Sequence, residues 1–165
     1  MIFFSHEKLC SLDAKGRVRL PSGIVSQLPE EEAKFFVMKQ NRKKGILQVF
    51  PLKAWDKKVQ RLMEVDMMIE ENEEYVRRQM MGATRVERDG SGRIQIPKHV
   101  INSLGFNDNV MITAWMDRME IWDPKKYNEY SEDDSYDQAS ESRRIYGSNG
   151  NIGQNGTSNS NSESN

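Results

Sequence analysis

The sequence is poor in the features that mark secreted and membrane proteins. Its 165 residues include a single cysteine, Cys10, which excludes an intramolecular disulfide framework and fits a reducing compartment. No segment approaches the roughly 18 to 20 consecutive apolar residues that a membrane-spanning helix needs. The first residues, Met1 to Phe4, lack the charged region and cleavage site of a signal peptide. We therefore expect a cytoplasmic protein with no membrane partner.

Residues for catalysis and metal binding are also scarce. The two histidines, His6 and His99, belong to no Ser/His/Asp or Cys/His set beyond chance, and Gly90–Gly92 is far too short for a phosphate-binding loop. His6 and Cys10 could share one strand face, but two ligands without a third more often reflect ordinary packing than a zinc site. We expect no enzyme, no cofactor, no metal and no small-molecule substrate.

Charge is unevenly distributed along the chain, although the net value is only −1. From Asn128 onward, seven acidic residues accompany two basic ones, so this part carries −5 and the preceding body +4. A mildly basic body permits nucleic-acid binding without establishing it.

The C-terminal part is expected to be disordered. From about Gly147 the chain is rich in Asn, Ser and Gly, and Ile152 is its only sizeable apolar residue. Such a segment cannot bury enough surface to offset the entropy of ordering. We predict a disordered tail over 131–165, first acidic and then Asn/Ser-rich.

The body contains an internal repeat. Leu12–Pro21 aligns with Arg88–Pro97 at an offset of 76, and apolar positions after each proline follow at the same offset. A later block, Leu47–Phe50, aligns with Met119–Trp122 at an offset of 72. We place the first repeat at 5–54, connecting helices at 55–81 and the second repeat at 82–126.

Both repeats show the same local pattern. Val18 and Leu20 alternate with polar residues, as Ile94 and Ile96 do, which predicts half-buried strands. Each following proline can begin a short amphipathic helix. Further strands are predicted at 35–38, 47–50, 110–114 and 119–122. The Met-rich face of the connecting helices is interpreted as core or subunit interface, in preference to a ligand pocket.

The size of the repeat predicts how the two copies combine. A unit of about 45 residues is near the lower limit for a core that is stable alone. We therefore expect an α+β fold in which two tandem repeats complete one small, pseudo-twofold β-barrel-like core, with the two motif turns on related surfaces.

Each repeat carries the pattern Asp-x-x-Gly-Arg, at Asp13–Arg17 and Asp89–Arg93. Gly16 and Gly92 permit a tight turn with positive φ, and each aspartate can accept hydrogen bonds from turn amides or pair with its arginine. A salt bridge that merely shapes the turn is the alternative interpretation. Because the pattern recurs together with the flanking strand and proline, we interpret it as a functional element.

The first copy is the more basic one. Its basic residues are spaced two positions apart, at Lys15, Arg17 and Arg19. If strand geometry extends through the turn, their side chains would form one basic stripe on the same face. Ser91 and Gln95 replace the lysine and the second arginine in the other copy, which we expect to be largely structural.

These segments, with Val49–Trp55 and Glu120–Trp122, closely resemble the MraZ family over residues 1–130. The resemblance implies tandem SpoVT-AbrB-like swapped hairpins, a ring-shaped homo-oligomer and a nucleoid-associated repressor. Its target would be promoter DNA of the division and cell-wall gene cluster, including its own gene. Ser5 and Cys10 stand where the family often has glycine and histidine.

Carried over residue by residue, the resemblance implies DNA contact by Lys15, Gly16 and Arg17, with Asp13 supporting. We add Arg19 and Arg93 as DNA-binding candidates and assign Asp89 and Gly92 a supporting role. Arginine can read guanine edges in the major groove, and ring assembly would multiply weak contacts over short direct repeats.

The rival interpretation is a protein-interaction module of antitoxin type, because the same fold occurs in antitoxins. The acidic stretch from Glu129 to Asp137, with Tyr127, Tyr130 and Tyr136 interleaved, would then bind the partner.

Overall fold

A computed structural model describes residues 6–147. The strands are β1 (Glu7–Ser11), β2 (Arg17–Arg19), β3 (Phe35–Asn41), β4 (Ile46–Pro51), β5 (Thr84–Glu87), β6 (Arg93–Gln95), β7 (Asn109–Trp115) and β8 (Arg118–Trp122). The α-helices are α1 (Ser22–Val25), α2 (Leu52–Met63), α3 (Glu70–Met80), α4 (Lys98–Leu104), α5 (Pro124–Ser131) and α6 (Gln138–Tyr146). A single 3-10 turn spans Glu30–Glu32.

The six longer strands form one antiparallel sheet in the order β1-β7-β8-β4-β3-β5. The first strand of each repeat is exchanged: β1 pairs with β7 of the second repeat, and β5 pairs with β3 of the first. This arrangement confirms the predicted interlocked repeats. It also means that neither sheet half is complete within one repeat.

Strand register shows the pseudo-twofold axis. At the centre of the sheet, Gln48 lies opposite Glu120, its own counterpart at an offset of 72. In the separate two-stranded sheet of β2 and β6, Val18 lies opposite Ile94, its counterpart at an offset of 76. One axis relating the repeats passes through both pairs. The barrel-like core lies between these two sheets.

A single hydrophobic core draws on both repeats. Its most deeply buried side chains come from β2, β6, α1, α4 and the inner face of the large sheet: Val18, Ile24, Phe36, Leu47, Val49, Ile94, Ile96, Leu104, Ile112, Met119 and Ile121. Because these residues pack in one cluster, the repeats cannot separate without exposing it. The predicted α+β fold is therefore confirmed.

The outer face of the large sheet is covered by helices. Trp55 of α2 packs edge-on against Phe50, with ring centroids 5.4 Å apart, and forms a smaller cluster with Val37. Trp122 at the end of β8 is covered by Tyr127 and Tyr130 of α5. Each repeat thus ends its last strand with an aromatic residue capped by the following helix.

The methionines of the connecting segment do not enter the core of the chain. Met63 is 74% exposed and Met68 is 93% exposed, and Met67, Met80 and Met81 are also exposed. The interpretation of this face as core is confirmed for α2, which buries Trp55 and Leu62, and is wrong for α3, which buries no residue. The other interpretation, a subunit interface, stays a prediction.

The tail prediction needs one correction. Helix α6 occupies part of the segment expected to be disordered, and its Asp137 N-cap accepts hydrogen bonds from the amides of Ala139 and Ser140. Arg144 Nη2 pairs with Glu141 at 2.7 Å, one turn apart. The N-cap and the ion pair one turn apart both stabilise a helix here. The prediction of disorder rested only on the small amount of apolar surface that this segment can bury. The rest of the predicted tail, 148–165, lies outside the described residues.

The shared core predicts one cooperative unfolding event. Replacing Ile94 with alanine deletes a side chain that is 1% exposed and should lower the free energy of unfolding by about 2 to 5 kcal/mol. Urea unfolding at constant protein concentration should give the same midpoint by circular dichroism and tryptophan fluorescence.

Leu9→Ala is the control, because Leu9 is 54% exposed on β1, and its effect should stay within about 0.5 kcal/mol. Two separated transitions in the parent protein would contradict a shared core.

Candidate nucleic-acid interface

Each motif folds into a closed turn with the same backbone bonds. In the first repeat, the Asp13 amide donates to the Arg17 carbonyl at 3.0 Å and the Gly16 amide donates to the Asp13 carbonyl at 2.8 Å. The corresponding distances in the second repeat are 2.8 and 2.9 Å. Gly16 and Gly92 both have φ of 78°, a region that side chains with a Cβ rarely adopt.

The aspartate of each motif bonds to the turn and to the arginine simultaneously. Asp13 Oδ1 accepts from the amides of Lys15 and Arg17, at 3.0 and 2.9 Å, while Oδ2 accepts from Arg17 Nε at 2.8 Å. Asp89 repeats this pattern with Ser91 and Arg93. The two roles predicted as alternatives for the aspartate therefore occur together.

This bonding holds both carboxylates in their charged form. Hydrogen bonding from the Arg17 amide is the main reason that the pKa of Asp13 lies below its usual value, and the Arg93 amide acts in the same way on the pKa of Asp89. Partial desolvation opposes the effect in both. Each salt bridge is formed through Nε of the guanidinium, at 2.8 Å in the first repeat and 3.0 Å in the second.

The two turns are joined through β2 and β6. The Ile96 amide donates to the Gly16 carbonyl at 2.8 Å, and the Leu20 amide donates to the Gly92 carbonyl at 2.9 Å. The Gln95 side chain also donates to the Lys15 carbonyl. Each turn is consequently held by the other repeat, and the motifs form one structural unit.

Arginines of the two repeats face each other across this small sheet. Arg19 lies opposite Arg93, and Arg17 lies opposite Gln95. The ladder bonds flank these pairs, so both are non-hydrogen-bonded positions, where Cα atoms approach to about 4.5 Å and side chains lie closest. Arg19 is exposed and makes no salt bridge with any residue in 6–147. Two positive side chains directly opposite each other repel, and a bound anion would reduce this repulsion.

The structure places Lys15 in the turn, before β2 begins, so the stripe predicted from strand parity is limited to Arg17 and Arg19. Lys15 is exposed beside them. Gly16 itself is buried: a Cβ added there would come within 2.8 Å of the Ile96 carbonyl oxygen and of Ile101. Its contribution is to turn geometry and close packing.

Arg88 is a further basic residue beside the motif turns that was not among the residues predicted from the sequence. Its Nε donates to the Ala33 carbonyl at 2.7 Å, and Nη1 lies 3.8 Å from the position of a Cβ on Gly92, where Arg19 also approaches. The first repeat has Leu12 at the equivalent position. Its position directly before the second motif was the available signal. We define the arginine surface as Lys15, Arg17, Arg19, Arg88 and Arg93.

Two other possibilities concern residues 6–147: a metal site and a membrane-spanning helix. No group of three or more His, Cys, Asp and Glu side chains is arranged to hold a metal, and the His6 ring packs against Gly23 of α1. None of the helices in this range combines the length and apolar character required to cross a membrane.

Comparison with known families agrees with the repeat. The family model described as "MraZ protein, putative antitoxin-like" matches the chain twice, over residues 3–78 and 80–146. The chain belongs to the MraZ family. The two matched segments correspond to the two repeats found in the sequence, which confirms the resemblance.

Relatives from several bacteria carry the name transcriptional regulator MraZ. The protein of Christiangramia forsetii is 30% identical over 84% of this chain and 89% of its own length. The protein of Flavobacterium psychrophilum is 28% identical over 84% and 88%, and that of Leuconostoc citreum is 32% identical over 78% and 86%. These names are of regulators and not of enzymes, in line with the expectation that the MraZ-family chain is not an enzyme.

The turn geometry predicts a strict need for glycine at position 16. Gly16→Ala should lower the free energy of unfolding by about 1 to 3 kcal/mol, because the new Cβ meets backbone and the φ is positive. Chemical denaturation measures the change. Gly90→Ala is the matched control, since a Cβ there meets nothing within 4 Å. Equal effects of the two variants would contradict this explanation.

The carboxylate pKa shifts predict sensitivity to acid. Folding lowers the pKa of both motif aspartates, so their stabilisation is complete above the ordinary value of 3.8 and is lost as pH falls through the folded-state values. The stability difference between the parent and the Asp13→Asn, Asp89→Asn double variant should therefore shrink on acidification.

Thermal unfolding between about pH 6 and about pH 2.5 measures this difference. An Asp56→Asn, Glu64→Gln double variant, which removes two negative charges at exposed positions, serves as the charge-matched control. A difference that stays constant with pH would argue against the assigned role of the aspartates.

Proposed function

We propose that this chain is a sequence-specific DNA-binding transcriptional regulator that contacts double-stranded promoter DNA through the arginine surface. The main support is the opposition of Arg19 and Arg93 across β2 and β6, which concentrates positive charge on an exposed face. The names of the relatives agree with this function.

Base reading is assigned to the paired arginines. Asp13 and Asp89 fix Arg17 and Arg93 through Nε, and the terminal nitrogens remain for a ligand. A guanidinium held in one orientation loses less entropy on binding and can donate to N7 and O6 of guanine in the major groove. The salt bridge thus supports DNA recognition instead of competing with it.

Phosphate contact is assigned to Lys15 and Arg19, whose exposed side chains form no salt bridge with any residue in 6–147. Their counterparts Ser91 and Gln95 are neutral, so the first repeat contributes more of the DNA contact. Arg88 adds charge from the second repeat. Phosphate contacts position the protein, and the arginine–guanine contacts give specificity.

One chain supplies too few contacts for a useful regulator. Neutralising about three phosphates gives a salt slope of about −3, whereas effective regulators make more contacts. We propose a ring-shaped homo-oligomer that presents repeated arginine surfaces to short direct repeats of DNA. The exposed methionines of the connecting segment support a subunit interface, since exposed apolar clusters commonly mark interaction sites.

The proposed target is the promoter of the division and cell-wall gene cluster, including the gene of this protein, with repression as the outcome. The proposal rests on the resemblance to the MraZ family, whose model matches both repeats. Such a regulator would act in the cytoplasm, at the nucleoid.

A second candidate function is an interaction module of antitoxin type. The family description includes antitoxin-like proteins, and the segment from 131 onward exposes Tyr136, Ile145 and Tyr146. A stoichiometric small protein that co-purifies with the chain would favour this function.

Arg19→Ala should weaken promoter binding without altering the fold, because Arg19 is exposed and takes no part in the Asp–Arg turn. Loss of one phosphate contact should reduce the salt slope by about 1 per bound subunit. Arg17→Ala should abolish sequence preference as well. Electrophoretic mobility shifts or fluorescence anisotropy at several salt concentrations measure both effects.

Lys43→Gln, which removes one exposed positive charge outside the arginine surface, is the control. Size-exclusion chromatography should show the same oligomer for all variants. Promoter affinity unchanged in both arginine variants would refute the proposed interface.

A further inference from the structure

A second basic site lies on the opposite side of the large sheet. A groove of about 780 Å³ opens between α2, α3 and the outer faces of β4 and β8. Gln48 and Phe50 contribute its floor, whereas Leu47 and Val49, the alternate residues of β4, face the core beneath β2 and β6. The groove is therefore separated from the arginine surface by the thickness of the sheet and core.

Positive charge dominates this groove. Helix α2 and strand β8 contribute the basic side chains that line it: Lys53, Lys57, Lys58 and Arg61 from the helix and Arg118 from the strand. Lys53 pairs with Glu32 at 2.8 Å, and Arg118 pairs with Asp117 and with the buried Glu120. Lys57, Lys58 and Arg61 make no salt bridge with any residue of the described range. Three positively charged side chains thus line the groove without a salt bridge to a carboxylate of the described range.

Lys58 is the central residue of the cluster. Its ammonium nitrogen lies 5.6 Å from the centre of the Phe50 ring and 5.7 Å from that of Trp55. Burial lowers its pKa, as does repulsion from Lys39 and Arg118, while Asp117 partly offsets the effect. Lys39 is itself half-buried and donates to the carbonyls of Arg78 and Met81. Desolvated cations close together are costly unless an anion joins them.

We propose that this groove binds a small, multiply charged anion that carries phosphate groups. Its volume falls in the range of about 300 to 1,000 Å³ that is typical of small-molecule sites. Several converging lysines and arginines match the charge and the oxygen acceptors of a phosphate better than those of a single carboxylate. Tyr75 and Phe50 offer apolar surface for the rest of the ligand.

A DNA duplex is not the occupant that the geometry favours. The floor of the groove is the outer face of β4 and β8, and helices α2 and α3 form its walls. A duplex bound to the arginine surface lies on the other side of the core. The site does not depend on the proposed DNA-binding function, and its test is separate.

Calorimetric titration with potassium pyrophosphate, at constant ionic strength set with potassium chloride, tests the site. The parent protein should show saturable binding with one site per chain. Lys58→Met keeps the aliphatic stem and removes the charge, and it should weaken binding at least tenfold. Lys57→Gln, at an exposed position, should weaken binding several-fold, and its thermal unfolding midpoint should equal that of the parent.

Lys43→Gln is the matched control and should bind pyrophosphate like the parent. Absence of saturable binding in the parent, or equal affinity in the Lys58→Met variant, overturns the proposal. Promoter affinity is measured for the same variants. Loss of DNA binding with unchanged pyrophosphate binding would assign the groove to DNA and also overturn it.

Discussion

The exchange of first strands between the repeats is the constraint on which the rest of the structure depends. Among the strands of residues 6–147, β1 pairs only with β7, and β5 pairs only with β3. Without the exchange, each repeat would be left with an unpaired strand and about half of a core, which is too little for a unit of its size. Exchange completes the sheet and encloses Val18 and Ile94 in a core that both repeats build.

The same exchange creates the candidate site. Each first strand leads into its motif turn, so crossing of the strands brings the turns together as β2 and β6. Gly16 and Gly92 then accept ladder hydrogen bonds from the opposite repeat, and Arg19 comes to lie against Arg93. The basic surface is thus a property of the pair of repeats. Neither repeat would present it alone.

Much of this could be predicted from the sequence, because the evidence was local or repeated. The offsets of 76 and 72 identify both repeats, and Gly16 and Asp13 indicate the turn directly. The opposition of Arg19 and Arg93 depends on cross-strand register, which no single segment encodes. The role of Arg88 depends on a contact with Ala33, 55 residues away. The groove around Lys58 likewise depends on the packing of α2 and α3 over the sheet, and helical periodicity alone does not predict that packing.

The structure also shows which positions can distinguish a DNA-contacting turn from a structural one. Aspartate, glycine and arginine have the same hydrogen bonds in both copies, so the turn itself requires all three wherever it occurs. Their presence alone therefore does not distinguish the two repeats. The repeats differ at positions 15 and 19 and at their counterparts 91 and 95. Lysine and arginine occupy the first pair, and serine and glutamine the second. The proposed difference in DNA contact between the repeats therefore depends on these four side chains, and not on the aspartate, glycine and arginine that both turns share.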